Sequence, residues 1–600
     1  MTKNKQLFAK QPQPSFFSLF KTALCALVLL AATLAVSLMA WARSTWEDLE
    51  FEQILSNINI LPRSLDILTF SPEMKYYLIA GAVLFLFLIA VCSNKRLLQC
   101  AFALLLVFVW QIRIIPYYYY RNTTTKLYEN YYRAPEITAA DFPQQKRNLI
   151  LLHLESVENN FADKNLYGAN LLPELSALAA ENPSFTGYQA LYGTNYTKAA
   201  LVAGHCGIAY RTPALSFGNI YTHLANITCL SDILAANGYE TWFAKSADHT
   251  FAYTDIFYNQ HKYQHIIDRY ALTQGLSDEE INKNKSSYDG LSDKLLFTHI
   301  LNLFQQQKIK EPFLLTAFTV DTHVPGTVLP YNCPKVYGDV RDNILCSDST
   351  VADFIKEFQK TPYWQNTTVV IVGDHPMFKE LKPQNRQKYR RGIFNVFLNL
   401  PQKPVYTPDK PFTALDMPAT YMEALGINLK GHAFGLGRSL FSDVPSLISL
   451  PEAKLKNAVK QYSALYETFS KTPVNSYNPY KLGTILTQEL ILNYTNYYKE
   501  LFDHIFINML SFKLDSVPEK DLTLSVTLNA MLSYKPKLYI NINGEPLTSV
   551  KLQKKIGEQS ITVDIPAERI TSPKLSIEFI NNNYRSVISQ GIDIRKFVLR

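Results

Sequence analysis

Asp374 and His375 end a short β-branched run, Asn366-Thr-Thr-Val-Val-Ile-Val-Gly-Asp-His-Pro376. A carboxylate beside an imidazole is a pair of ligand types that a divalent metal accepts. Two other apolar runs stop in the same way. Asn148-Leu-Ile-Leu-Leu-His-Leu154 ends at Glu155-Ser156, and Phe313 to Val320 ends at Asp321-Thr322-His323. Between them lies Tyr192-Gly-Thr-Asn-Tyr-Thr-Lys-Ala-Ala-Leu201, which puts hydroxyls in a Gly-containing turn before a helix-compatible run. A helix N-terminus favours negative charge through its free backbone N–H groups. A threonine there, with a metal lowering the pKa of its hydroxyl, could attack phosphorus. Thr197 is the first choice as nucleophile and Thr194 the second, and either could instead be a plain helix cap.

Compact Val/Ile/Leu runs of this kind read as strands buried on both faces, as in a parallel sheet. In open α/β sheets, ligands bind beyond the carboxyl ends of the strands. Helical stretches Leu172 to Asn182, Leu230 to Asn237, Lys294 to Gln306, Ser349 to Lys360 and Met417 to Leu425 alternate with Glu240 to Ala244, Phe313 to Val320, the 366–373 run and Phe394 to Leu398. The alternation predicts a mostly parallel sheet covered by helices. After about residue 450 the pattern changes. Pro451 to Thr472 and Thr484 to Phe512 read as helical, and short alternating runs from Leu522 to Phe579, with an Asn543-Gly544 turn signal, read as a small β-sandwich. His153 lies within an apolar strand and reads as a core group. His205, His223, His261 and His265 read as surface residues.

Ahead of this lie three apolar stretches, Thr22 to Ala42, Tyr76 to Cys92 and Leu97 to about Pro116, near the length needed to cross a bilayer. Lys3, Lys5, Lys10 and Lys21 precede the first, and Lys95-Arg96 joins the last two, so these flanks are expected on the cytoplasmic side. The loop with Glu47, Asp48, Glu50 and Glu52, and everything after the third span, are then expected outside. The tyrosine-rich stretch 117–147 is expected along the membrane surface. The net charge of +8 is spread without a basic block, which argues against nucleic-acid binding. Outside the spans, Cys206, Cys229, Cys333 and Cys346 are disulfide candidates in an oxidising compartment. The two sequence-local pairs are favoured among three connectivities, and a zinc site lacks its usual C-x-x-C spacing.

The segment 148–400 resembles the sulfatase branch of the alkaline-phosphatase superfamily. The motifs are Leu154-Glu155-Ser156, Gly193-Thr194 to Thr197 with Cys206-Gly207-Ile208, Cys229 to Leu234, Val320-Asp321-Thr322-His323 and Asp374-His375. Membrane-anchored members of that branch include lipoteichoic acid synthases, phosphoethanolamine transferases and the periplasmic phosphoglycerol transferases that decorate glucans, which these motifs match best. The resemblance implies a sulfatase-like α/β/α catalytic domain at 148–447, and the chain's own patterning adds a three-span region at 1–116, a linker at 117–147, and a helical connector with a β-rich domain at 448–600. It implies one divalent metal (manganese, magnesium or zinc), no organic cofactor, and the ligands Glu155, Thr197, Asp374 and His375. It further implies transfer of phosphoglycerol from a phospholipid donor to an envelope glycan or lipid-linked glycan, through a phospho-threonine. Phosphoethanolamine transfer to lipid A or core glycan, or plain phosphodiester hydrolysis, are the alternatives. His323 is expected as phosphate holder or proton carrier, with Asp248, His249 and Asp321 as substrate-binding candidates. The implied location is a bacterial inner membrane, multi-pass, with a cytoplasmic N-terminus and a periplasmic catalytic domain.

Overall fold

In the computed structural model the described residues are 16–45, 49–51, 54, 74–211, 224–248, 254–287, 290–324, 328–378, 381, 389–470 and, beyond these, 490–491, 496–498, 506–513, 521–531, 537–542, 545–551, 556–570, 574–581 and 592–599. The expectations for Lys3, Lys5, Lys10, Glu47, Asp48, Glu52, His223, His249 and Asn543-Gly544 lie outside them.

The runs that end in polar groups form the middle of one sheet. Its strands are β1 (Asn148–Leu154), β2 (Glu240–Lys245), β3 (His265–Ile267), β4 (Phe313–Phe318), β5 (Thr367–Gly373) and β6 (Asn395–Leu398), in the order β3-β2-β4-β1-β5-β6. All neighbours pair in parallel except β6, which runs antiparallel to β5. Every residue of β1, β4 and β5 is buried, as expected of strands covered on both faces. Leu149 and Leu151 pack with the helices Thr197–Cys206 and Met417–Ala424. Ile150, Leu152 and Leu154 pack with Asp293–Gln305 and Val340–Phe358. Because β1 lies between β4 and β5, parallel pairing brings their three carboxyl ends together.

The close of β5 needs a glycine. A Cβ on Gly373 would lie 2.0 Å from the Val157 carbonyl oxygen. That approach lets the chain after β1 cross the end of β5, with the Phe394 N–H donating to Val157 O.

At the N-terminus, Phe20–Thr45 and Met74–Val91 are long and apolar enough to cross a membrane. The third expected span is bent by 47° between Asn94–Gln111 and Ile114–Arg121, at Arg113, whose φ is +56°. The tyrosine run Tyr117 to Tyr120 is thus helical. Tyr128, expected at a membrane surface, is instead buried against Tyr466 and Phe469.

The helical expectation for Pro451 to Thr472 becomes two short helices, Glu452–Ala458 and Ala464–Thr468, the second started by the Ser463 hydroxyl accepting from Tyr466 N–H. The helix expected over Thr484 to Phe512 is wrong: Leu490–Ile491, Asn496–Tyr498 and Phe506–Lys513 are strands. Leu490–Ile491 and Phe506–Lys513 pair with the distant strands Ile592–Leu599 and Lys574–Asn581, which overrides local helical spacing. Among the described residues, the C-terminal region forms antiparallel sheets of five and four strands.

Candidate metal and nucleophile site

Glu155 leaves β1 through a sharp turn in which Ser156 has φ +57°. The turn is fastened from both sides. Glu155 N–H donates to Thr319 Oγ1 (2.8 Å), and Ser156 N–H donates to Asp374 Oδ1 (2.8 Å) at the end of β5. The Thr322 hydroxyl donates to the Glu155 carbonyl. Ser156 Oγ donates to Glu155 Oε1 (2.6 Å), and His375 N–H donates to Asp374 Oδ1 (2.7 Å).

Glu155, Asp374 and His375 are buried, and one ligand atom of each lies within 4.8 Å of the others. His375 Nδ1 faces the Pro376 carbonyl at 2.9 Å, so it carries the proton there and leaves the Nε2 lone pair for the cluster. Nε2 is 3.4 Å from Asp374 Oδ2 and 3.7 Å from Glu155 Oε1. Asp374 Oδ2 is buried and receives no hydrogen bond among the described residues. Burial, then the neighbouring Glu155 charge, push the Asp374 carboxyl up to about 7. Burial also opposes charge on His375 and Glu155. For His375 it is outweighed by Asp374 and Glu155, which raise its pKa. For Glu155 it is outweighed by His323 and His375 and by hydrogen bonds from Ser156 and Thr197, which lower it. A buried carboxylate pair with an orphaned oxygen and an imidazole lone pair fits a divalent cation.

Thr197 opens the ten-residue helix Thr197–Cys206. Its hydroxyl donates to Glu155 Oε2 (3.1 Å) and lies 3.3 Å from His375 Nε2. It is therefore turned to the cluster and does not act as the helix cap, which is Tyr196. Thr194 is fully buried and donates to Leu191 O (2.8 Å), so it serves the turn.

His323 is half-buried, and desolvation holds its imidazolium down while the Glu155 charge opposes this. The charges of His375 and Lys245 also reach it. Asp321 does not join these groups. Its carboxylate accepts from Ser286 Oγ and from Asp293 N–H (3.0 Å), and Asp293 accepts in return from the Val320 and Asp321 N–H groups. It ties β4 to the helix Asp293–Gln305 in place of the substrate contact expected from its position after a strand. Asp248 accepts from Tyr270 OH (3.0 Å).

The histidines expected on the surface divide. His205 and His261 are buried. His205 Nε2 lies 3.3 Å from His153 Nε2, and His261 Nδ1 lies 2.8 Å from Asp232 Oδ2. His265 is partly exposed and stacks on Trp242. Both expected disulfides, Cys206–Cys229 and Cys333–Cys346, are formed.

Sequence reading missed Glu158 and Arg391. Glu158 is buried and accepts from Arg391 Nε (3.0 Å) and from Met377 N–H (3.0 Å), while Arg391 Nη2 donates to Glu158 and to the Met377 carbonyl. The pair clamps the turn after His375 to the turn after Glu155. Only the position of Glu158, three residues past Glu155, was a local signal.

The parallel sheet, its covering helices and the carboxylate–histidine cluster at the strand ends make an α/β domain with its candidate site beyond the carboxyl ends of the strands. Residues 147–427 match the Sulfatase family model. Phosphoglycerol transferase I of Escherichia coli O127:H6 is 29% identical over 323 residues, covering 52% of this chain and 41% of the relative. The chain thus matches less than half the length of these relatives. Among solved structures, the lipoteichoic acid synthase LtaP of Listeria monocytogenes is similar at 20% identity and TM-score 0.41 (55% of this chain, 85% of that one). The Streptococcus pyogenes phosphoglycerol transferase GacH in complex with sn-glycerol-1-phosphate is similar at 14% and 0.37 (56% and 88%). Scores this low do not bear on function.

Proposed function

We propose that this chain is a membrane-anchored, metal-dependent phosphotransferase that moves phosphoglycerol from a phospholipid head group to a hydroxyl of a cell-envelope glycan. The observation that carries the reading is the Thr197 hydroxyl set against Glu155 and His375 at a helix N-terminus. Glu155, Asp374, His375 and Thr197 would hold one divalent ion, manganese, magnesium or zinc. When bound, such an ion supplies Lewis acidity toward the phosphate and lowers the pKa of the threonine hydroxyl.

Thr197 Oγ1 attacks the donor phosphorus, and its proton leaves toward Glu155. The bond from phosphorus to the diacylglycerol oxygen breaks, and His323, when protonated, gives that oxygen a proton. A glycan hydroxyl then attacks the phospho-threonine and gives its proton to His323, while the bond from phosphorus to Thr197 Oγ1 breaks and that oxygen regains its proton from Glu155. The apolar helices keep the domain at the lipid surface, with the catalytic domain on the periplasmic face of an inner membrane. The relatives named phosphoglycerol transferase I support this donor over phosphatidylethanolamine.

The test is the intact mass of the full chain in detergent after incubation with metal and phosphatidylglycerol, without acceptor, beside Thr197→Ala. A phosphoglycerol-sized adduct on the wild type alone is expected. An adduct only with phosphatidylethanolamine would replace the donor, and no adduct with either lipid would sink the transferase reading.

A further inference from the structure

Three ligand-type side chains meet at the far end of the helix that Thr197 begins. Cys206 is the last residue of Thr197–Cys206, and Cys229 caps the start of the helix Leu230–Ala236. His261 follows the helix Thr254–Gln260. All three side chains are buried. One ring nitrogen of His261 and both sulfurs lie within 4.8 Å of one another. The sulfurs are joined here as a disulfide.

Asp232 prepares two of the three groups. Its Oδ2 accepts from the Cys229 N–H (2.9 Å) and from His261 Nδ1 (2.8 Å). The His261 proton therefore sits on Nδ1, and the lone pair is left on Nε2. Nε2 is buried and has no hydrogen-bond partner among the described residues. A buried acceptor without a donor is costly, and a disulfide has no proton to give it. A carboxylate behind one histidine nitrogen is also the arrangement that orients a metal-binding imidazole and raises its basicity. The backbone around the group is fixed. Gly207, just after Cys206, has φ +66°, and a Cβ there would lie 2.5 Å from the Phe434 carbonyl oxygen. His261 packs on the Phe257 ring at 4.5 Å. His205, beside Cys206, is committed elsewhere, with Nε2 facing His153 and Nδ1 facing Tyr263 OH, each at 3.3 Å.

We propose that Cys206, Cys229 and His261 form a second metal site when their disulfide is reduced, and that it takes a thiophilic divalent ion of the zinc type. Two thiolates and one imidazole are a zinc donor set, with water in the fourth position. The site differs from the Glu155, Asp374 and His375 cluster in offering sulfur, and it does not depend on the transferase reading. Disulfide and metal exclude each other. A dithiol reductant gives up two electrons and becomes a disulfide itself, while the Cys206–Cys229 bond breaks and its sulfurs become thiols. Zinc then displaces their two protons. Zinc at about 2.3 Å from each sulfur holds the two farther apart than a bond does, so the cysteine side chains turn apart. The ion does for the reduced chain what the disulfide does for the oxidised one: it ties the end of the Thr197 helix to the start of Leu230–Ala236.

The experiment uses the full chain in detergent, oxidised or reduced, equilibrated with zinc alone and desalted. Native mass spectrometry should count one more zinc on the reduced chain. Cobalt in place of zinc should give a sulfur-to-cobalt charge-transfer band on the reduced chain only, a band that the oxygen and nitrogen ligands of the other cluster do not produce. Cys206→Ser should remove the band. His261→Ala should remove the added zinc. Asp232→Asn should weaken its binding roughly 10–100-fold, as loss of an outer support does. Zinc should also raise the melting temperature of the reduced chain more than that of the oxidised chain. A reduced chain that loses helical circular dichroism and regains it with zinc supports the site. No added zinc on reduction, a band that survives Cys206→Ser, added zinc held equally well by His261→Ala, or a reduced chain that zinc does not refold would overturn the proposal.

Discussion

Two threonines three residues apart in one turn have opposite surroundings, and the difference is chemical. Thr197 Oγ1 is directed at a carboxylate and an imidazole lone pair. Thr194 Oγ1 is spent on the backbone of Leu191. Sequence spacing ranked them in this order but could not separate them, because both precede the same helix. Thr197→Ala should abolish any phospho-adduct and leave folding nearly unchanged. Thr194→Ala should do the reverse. It should keep the adduct and lower stability by about 1–2 kcal/mol for a buried hydroxyl whose backbone partners lose it. Adduct mass and thermal unfolding of the two variants check this. An adduct lost in Thr194→Ala at unchanged stability would move the nucleophile.

At the scale of elements, the site depends on strand ends held at fixed spacing, and two buried ionic devices hold them. Arg391 and Glu158 tie the turn after β5 to the turn after β1. Arg391→Ala should weaken divalent-metal binding by roughly 10–100-fold, the usual effect of removing an outer support of a metal site. Calorimetric titration of metal checks it, and unchanged affinity would show the clamp to be structural only. The second device is the Asp293–Asp321 pair between β4 and the helix Asp293–Gln305. Burial raises both carboxyls, Asp321 to about 6 and Asp293 further with the added Asp321 charge. The unfolded chain releases these protons near the ordinary value of about 3.9, whereas the folded chain keeps that of Asp321 to about pH 6 and holds that of Asp293 well above the ordinary range. The unfolded state thus binds fewer protons in that window, so the pair's contribution to stability falls as pH rises from about 4 to about 6. Asp293→Asn can still donate to Asp321 without a second charge and should flatten this part of the profile, read as the difference in melting temperature between the variant and the wild type. An unchanged slope would place the pH dependence elsewhere. The strands and their terminal ligands were legible because an apolar run and the polar residue after it are adjacent in sequence. Arg391 and Asp293 were not, since each meets its partner only after tertiary pairing. Asp321 misled for the same reason: its place after a strand was visible and the direction of its carboxylate was not.

Over the whole molecule, the apolar N-terminal helices and the α/β domain share more structure than a linker would. The stretch between them is stitched to the domain by backbone hydrogen bonds: Thr125 N–H to Tyr462 O, Tyr462 N–H to Thr123 O, and Arg133 and Gly435 in both directions. Leu127 and Tyr128 are buried in the same core as β1, and Tyr128 packs on Tyr466 and Phe469. A run of tyrosines after an apolar span reads as an interfacial belt, and nothing local marks Tyr128 as the one that turns inward. The boundary drawn at residue 148 therefore cuts through the core. A soluble fragment starting at residue 134 lacks Leu127 and Tyr128 and leaves a cavity beside Tyr466. One starting at residue 122 keeps both. Loss of a large buried aromatic costs about 3–5 kcal/mol, so the shorter fragment should melt well below the longer one, and Tyr128→Ala in the longer fragment should reproduce most of the difference. Equal melting temperatures for the two fragments would mean that the α/β domain closes its core without this segment, and that the stitching serves only to hold the domain against the apolar N-terminal helices.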